Sequence, residues 1–121
     1  MIEALVETKE LYNFDQLQEI AIGNPDFIKS LALIFLQTVP TDSAEMVAAA
    51  KAGEWQRVSK LAHKLKSTVD SMNIISLKSS IRRIEIDAKN KINTAELLLL
   101  AEKANSILNT VAMQIREEFA G

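Results

Sequence analysis

The stretch EWQRVSKLAHKLKSTVDSM, residues 54–72, decides how the fold is interpreted. It contains no glycine or proline, and its apolar residues recur at spacings of three and four. These residues are Val58, Leu61, Ala62, Leu65, Val69 and Met72. Such spacing places side chains on one face of an α-helix. The stretch therefore predicts an amphipathic helix that packs against a core along this face.

His63 is the only histidine in the 121 residues, and it lies on the other side of this helix. At about 100° per residue, it points roughly 160° away from Leu65. Lysines and other polar residues surround it on this outer face. A neutral imidazole at the surface beside lysines suits a nucleophile that accepts phosphate. From the residues alone, an incidental surface histidine remains the competing interpretation.

The segment before residue 24 carries a weaker helical signal. The first seven residues include early acids and have neither a basic flank nor a long apolar run, so we expect no signal peptide. Asn13 and Gln16 form a capping-box pair at the start of a short helix, roughly residues 13–22. Gly23 would end this helix in the left-handed region.

A long helix is predicted between this segment and the histidine helix, roughly over residues 24–52. Asn24 is suited to cap it, with Pro25 at the first helical position. Pro40 removes a backbone hydrogen bond within the helix, so we predict a kink there and a new start capped by Thr41. Gly53 is the predicted stop.

Two more helices are predicted after the histidine helix, roughly over residues 74–90 and 94–119. Asn73 is a left-handed turn residue before the first, and Thr94 is the predicted cap of the second. Their buried positions follow helical spacing: Leu77, Ile81, Ile84 and Ala88, then Leu97, Ala101, Ala104, Leu108, Val111, Ile115 and Phe119. Four long helices with short connections predict an all-α, antiparallel up-down four-helix bundle, with a short additional N-terminal helix. We expect one domain over residues 1–121.

Composition excludes several classes of function. A net charge of −2 with interleaved signs gives no broad basic field, which argues against nucleic acid as the main partner. A helical bundle that binds nucleic acid through Arg82, Arg83 and neighbouring lysines is a weaker alternative, and it would show a steep salt dependence. One histidine and no cysteine predict no metal site and no disulfide. The longest apolar run, residues 31–36, is too short to span a membrane. We expect a cytoplasmic protein.

The histidine segment resembles a known motif. Ala62-His63-Lys64-Leu65-Lys66 is similar to the phosphoacceptor motif A-H-x-L-K-G-S/A of the histidine-containing phosphotransfer (Hpt) domain family. Residues 52–55, Ala-Gly-Glu-Trp, stand where the family has an A-G-D-W turn. The apolar helix from Pro25 to Leu36 looks like the one that opens the family's bundle. The resemblance covers roughly residues 14–118.

The resemblance implies a carrier of phosphoryl groups in a two-component phosphorelay. His63 would accept the group from the aspartate of a receiver domain, such as that of a hybrid histidine kinase, and pass it on. The receiver would supply Mg²⁺, so we expect no cofactor on this chain. Since no glycine-rich phosphate loop is present, we expect no ATP site, no autokinase activity and no free-standing enzyme. We also expect a monomer. The alternative is an Hpt-like binding module that docks a receiver or another protein without phosphotransfer.

The resemblance also assigns roles around His63. Lys66, one turn on, would neutralise the oxygens of the transferring phosphoryl group; an ordinary solvated lysine is the alternative. The docking surface for the partner is predicted at Gln56, Ser59, Lys60, Ser67 and Asp70. Ser67 departs from the family, which usually has glycine there, and this puts the rate of transfer in doubt. Asn73-Ile74 replaces a glycine-small pair at the helix end.

Glu85 has two open interpretations. In an antiparallel hairpin that turns near Ile74, Glu85 and His63 would lie at the same level. The carboxylate could then orient the imidazole or Lys66 through a hydrogen bond. Equally, it could form a salt bridge on its own helix with Lys78, Arg82 or Lys89.

Overall fold

The computed structural model describes residues 11–21 and 24–119, and within them every regular element is a helix. The helices are α1 (Asp15–Ala21), α2 (Pro25–Lys51), α3 (Trp55–Ser71), α4 (Ile75–Asn90) and α5 (Thr94–Glu118). The four long helices pack in a ring, α2 on α3, α3 on α4, α4 on α5 and α5 on α2, while α1 packs on α2. The predicted all-α four-helix bundle with a short N-terminal helix is confirmed. The expectations for the first seven residues and for Gly23 lie outside the described residues.

The core lies where the helical spacing placed it. In α3, Val58, Ala62, Leu65 and Val69 are buried, and Leu61 is partly buried against them. The predicted stripes of α4 and α5 are also buried, except that Phe119 is only partly so. Because the apolar face of α3 packs into this core, its opposite face lies at the surface of the bundle.

The start of α2 follows the predicted capping, but its interior does not follow the predicted break. Asn24 is the N-cap, and its Oδ1 accepts a hydrogen bond from Asp26 N at 3.1 Å. The new helical start at Thr41 was wrong, because α2 continues without interruption through Pro40. The buried residues Val39 and Ser43 flank the proline. Their packing, together with the intact turns on either side, compensates for the one hydrogen bond that Pro40 cannot donate.

The turns around α3 and α5 use left-handed residues. Gly53 has φ +72° and Asn73 has φ +54°, as predicted for the ends of α2 and α3. The predicted cap at Thr94 was wrong: Thr94 is the first residue of α5, and Asn93, with φ 52°, is the N-cap. The Asn93 Nδ2 donates to Asp87 Oδ2 at 3.2 Å instead of capping the helix. The α4–α5 turn is thus held by the buried carboxylate of Asp87.

The segment before α1 is tied to the α3–α4 turn. The Asn13 N–H donates to the carbonyl of Met72 at 2.9 Å. The Asn13 Oδ1 accepts from Asp15 N at 3.2 Å, but the capping box predicted for Asn13 and Gln16 was wrong, because the Asn13 N–H goes to Met72 and α1 begins only at Asp15. Phe14 is buried and makes an edge contact with Phe119 at the end of α5. These contacts fix the position of α1 beside the end of α3.

Candidate functional site

His63 projects from the exposed face of α3, in the middle of the helix. Its side chain is 69% exposed, whereas its neighbours Ala62 and Leu65 are buried. The site therefore lies on the side of the bundle, on a rigid helix whose phase is set by the core. This is the placement that the helical spacing predicted.

The ring of His63 is held by a carboxylate from the next helix. His63 Nδ1 lies 2.6 Å from Glu85 Oε2, and this contact joins α3 to α4. The first interpretation of Glu85, an orienting contact across the hairpin, is the one observed. The alternative, a salt bridge from Glu85 to a cation of its own helix, is not observed: Arg82 pairs with Asp70 instead, and Lys78 donates to Asn73.

Lys66 shares the same carboxylate. Its Nζ donates to Glu85 Oε1 at 2.8 Å. One carboxylate oxygen of Glu85 therefore contacts Lys66, and the other contacts His63. The Lys66 ammonium holds the pKa of Glu85 below its ordinary value; partial burial opposes this shift, and the His63 contact adds to it. Glu85 is therefore ionised at neutral pH. The Lys66 side chain is 28% exposed, so it is not freely solvated.

The protonation of the ring follows from this carboxylate. An ionised carboxylate can only accept hydrogen bonds. Nδ1 therefore carries the ring proton, and its N–H donates a hydrogen bond to Glu85. In the neutral imidazole, the lone pair then lies on Nε2. Among the described residues, nothing hydrogen-bonds to Nε2. The arrangement therefore presents one ring nitrogen, Nε2, to an electrophile at the surface.

Ser59 corrects the predicted docking set. It is buried, 8% exposed, and its Oγ donates to the backbone carbonyl of Glu85 at 2.9 Å. Ser59 lies nearer the α4 side of α3 than a helical wheel alone suggests, because α4 packs closely along that side. Almost none of Ser59 is left for a partner to contact. Instead, it fixes the backbone from which Glu85 projects.

The other predicted docking residues remain at the surface. Gln56, Lys60 and Ser67 are exposed on α3 around His63. Asp70 is half-exposed, and its Oδ2 accepts from the guanidinium of Arg82 at 2.6 Å. The Arg82 partner holds the pKa of Asp70 below its ordinary value. This second ion pair across the α3–α4 hairpin was not anticipated from the sequence.

Lys64 points to the opposite side of α3. Its Nζ lies 3.2 Å from Asp42 Oδ2 on α2, and Asp42 is only 14% exposed. This ion pair links α3 to α2. Lys64 offers a natural comparison with Lys66, since both lysines lie on α3 and pair with an acid of a different helix.

An apolar depression on the α2 side of α3 was also missed. It has a volume of about 120 Å³ and is lined by Leu17, Leu31, Ile34, Phe35, Thr38, Val39, Thr68, Ser71 and Met72. Ile34 on its rim is 52% exposed, and Ile20 of α1 is 67% exposed. Thr68 lies one turn beyond Lys64, so the depression adjoins the exposed face of α3. The only sequence signal is that α2 is apolar on more sides than its core contact requires.

The described residues contain no cluster of three or more histidine, cysteine, aspartate or glutamate side chains that could hold a metal ion. Over the same part of the chain, no helix has the length and hydropathy needed to cross a membrane.

Comparison with known protein families gives one match. The family model described as the Hpt domain matches residues 30–118, which is most of the chain and includes α3 and α4 in full. No curated protein and no solved structure matches the chain significantly.

Proposed function

The chain belongs to the Hpt domain family, whose members mediate phosphotransfer in two-component signalling, and we propose that it carries a phosphoryl group on His63 between receiver domains. In this proposal, His63 accepts the group from the aspartate of one receiver and passes it to the aspartate of another. The protein acts as a carrier in a cytoplasmic relay and makes no phosphohistidine from ATP.

The observation that carries this proposal is the state of the His63 ring. The imidazole is exposed, its Nδ1 is engaged by Glu85, and its Nε2 has no hydrogen-bond partner among the described residues. A nucleophile with a fixed orientation and one available lone pair suits in-line attack on phosphorus. An incidental surface histidine would not need an ionised partner from another helix.

Lys66 supplies the positive charge in this proposal. A phosphoryl group on His63 adds up to about two negative charges next to Glu85. Lys66 lies one turn from His63 and can move its ammonium from the carboxylate to the phosphoryl oxygens. Since phosphoryl transfer depends mainly on positioning and on charge stabilisation, this lysine favours both the transfer and its product. The receiver domain supplies Mg²⁺ and the remaining groups.

The receiver docks over the outer face of α3. Gln56, Lys60, Ser67 and Asp70 surround His63 there, and the small side chain of Ser67 permits a close approach. The cation Lys60 suits the acidic surroundings of a receiver aspartate. These residues are the docking set predicted from the sequence without Ser59, which is buried.

A transfer assay tests the proposal directly. Candidate receiver domains are phosphorylated with radiolabel, freed of the donor and mixed with the chain and Mg²⁺. We expect an acid-labile, alkali-stable label on the wild-type chain and none on His63→Gln. The substitution should leave the helix content unchanged, since the side chain is 69% exposed.

The assay also separates the carrier from the binding module. A receiver that binds the wild-type chain with measurable affinity, yet never transfers label to it, would favour a docking module. A label that persists on His63→Gln would overturn the carrier proposal, because no other histidine exists in the chain.

A further inference from the structure

The contact between His63 and Glu85 bears on the phosphorylated state as well as on the free protein. The carboxylate oxygen lies 2.6 Å from Nδ1, while Nε2 is on the other side of the ring, in a side chain that is 69% exposed. A phosphoryl group bonded to Nε2 would therefore leave the Nδ1 contact intact. The same carboxylate would then face a ring whose charge has changed.

The balance of the transfer step defines that charge. The lone pair of Nε2 forms the N–P bond, and the bond from phosphorus to the donor oxygen breaks with its electron pair left on the donor. No proton moves, so the ring keeps its Nδ1–H and becomes a phosphorylated imidazolium with one positive charge. In the onward step an oxygen of the acceptor forms a new bond to phosphorus, the N–P bond breaks with its electron pair returned to Nε2, and neutral imidazole leaves.

Loss of the Nδ1 proton would block that onward step. The leaving group would then be an imidazolide anion, which is a much poorer leaving group than neutral imidazole. The phosphoryl group would become inert as the pH rises. A carboxylate in contact with Nδ1 opposes this loss, because a neighbouring negative charge favours the protonated, positively charged ring.

We propose that Glu85 keeps the phosphorylated ring of His63 protonated on Nδ1, and thereby keeps the phosphoryl group transferable at and above neutral pH. Glu85 is a positioning residue here, since it acts through the ring and not on phosphorus. The inference rests on the proposed phosphorylation of His63 and adds what controls release of the group.

Other charged side chains on the helices that form the site act against Glu85 or are already paired. They come from all the helices packed at the site: Lys60 and Lys66 on α3, Arg82 on α4, and Asp42 on α2. Asp42 is held by Lys64, and Arg82 by Asp70. Lysine and arginine charges disfavour a protonated ring, so among these groups Glu85 is the one in contact that favours it.

A titration of the phosphorylated chain tests the inference without any receiver. Potassium phosphoramidate phosphorylates His63 in the purified chain, and the donor is removed. The ring is followed by ¹⁵N and ³¹P NMR between about pH 5 and 9, and the rate of phosphate loss is measured over the same range. The variants are Glu85→Gln, which keeps a hydrogen-bond acceptor without charge, and Glu85→Asp, which keeps the charge on a shorter side chain. Glu96→Gln removes a carboxylate of α5 that pairs with Arg83 and contacts neither His63 nor Lys66.

We expect the titration midpoint of the phosphorylated ring to fall by about one pH unit in Glu85→Gln. Phosphate loss at about pH 8 should then slow up to tenfold, since one unit changes the protonated fraction by that factor. Glu85→Asp should recover part of the shift, and Glu96→Gln should match the wild type. An identical midpoint in wild type and Glu85→Gln would overturn the inference. A wild-type chain that shows the expected profile, yet takes no phosphoryl group from any receiver, would contradict the relay role and leave the inference standing.

Discussion

Glu85 Oε2 lies 2.6 Å from Nδ1 of His63, across the α3–α4 hairpin and 22 residues away along the chain. The orientation of the imidazole therefore depends on the register between two helices and not on α3 alone. The buried hydroxyl of Ser59, which donates to the Glu85 carbonyl, fixes that register at the same level. A substitution that shifts α4 along α3 should disturb the ring even if it lies far from the surface.

The first prediction concerns the charge that Lys66 contributes. Lys66→Ala should slow transfer from a phosphorylated receiver about tenfold, which corresponds to roughly 1.4 kcal/mol. The reason is that the phosphoryl oxygens lose a cation within one turn of His63. Rapid-quench measurement of label transfer gives the rate.

Lys64→Ala is the matched control for this prediction. It removes the same side chain from the same helix, but Lys64 pairs with Asp42 on the α2 side. Its transfer rate should stay within about twofold of the wild type. Equal rates for Lys66→Ala and the wild type at low salt would assign Lys66 a structural role only.

The second prediction concerns the pH dependence of stability. The Lys66 ammonium lowers the folded-state pKa of Glu85 below 4.5, its value as a free side chain. A carboxyl whose pKa falls on folding contributes stability above its unfolded value, and this contribution disappears as the pH falls through the folded value. Glu85→Gln should therefore be less stable than the wild type by roughly 0.5–1 kcal/mol near pH 7, and this difference should shrink as the pH falls below the unfolded value.

Urea unfolding of both proteins at several pH values measures this difference. When Lys66 is also replaced by alanine, Glu85→Gln should change the free energy of unfolding by less. The reason is that Lys66 is the largest cause of the lowered pKa of Glu85. A difference that stays constant from about pH 3 to 7 would mean that packing, and not charge, accounts for it.

The third prediction concerns the turn before α3. Gly53 has φ +72°, and a Cβ added there would meet nothing within 4 Å. Gly53→Ala should therefore lose stability through backbone strain alone, by about 1 kcal/mol. Gly53→Asn should recover part of the loss, since asparagine adopts the left-handed conformation more readily. Thermal unfolding of the three proteins distinguishes strain from a clash: equal losses for Ala and Asn would point to the latter.

Local patterns in the sequence were sufficient for much of the architecture. Helical spacing placed Val58, Leu65 and Val69 in the core, and it placed His63 opposite them, because helix phase is set by the residues of the helix itself. Cap and turn residues such as Asn24 and Gly53 were also recognisable, since each has a conformational reason for its position.

Contacts between helices were harder to derive. A helical wheel gives the direction of each side chain around one helix, but it does not show how much of that helix a neighbouring helix covers. Ser59 was therefore assigned to the surface, although α4 covers it. The partner of Glu85 stayed open for the same reason, because several cations of α4 were within reach in sequence. The Pro40 restart was wrong because the packing on both sides of the proline outweighs one lost hydrogen bond.

The last prediction concerns Ser67, which stands where the motif of the family has glycine. It is exposed one turn beyond His63, so a side chain projecting from it meets an incoming receiver early. Ser67→Gln should keep the stability of the fold, since glutamine is a good helix former at an exposed position. It should nevertheless slow transfer about 10²-fold, because a displacement of about 1 Å spoils the in-line geometry of donor oxygen, phosphorus and nitrogen.

Ser67→Gly should transfer at least as fast as the wild type, although glycine costs up to ~1 kcal/mol within a helix. Ser106→Gln places the same side chain on an exposed position of α5, which packs on α2 and α4, and should transfer normally. If Ser67→Gln folds and transfers like Ser106→Gln, the receiver does not approach over this face of α3.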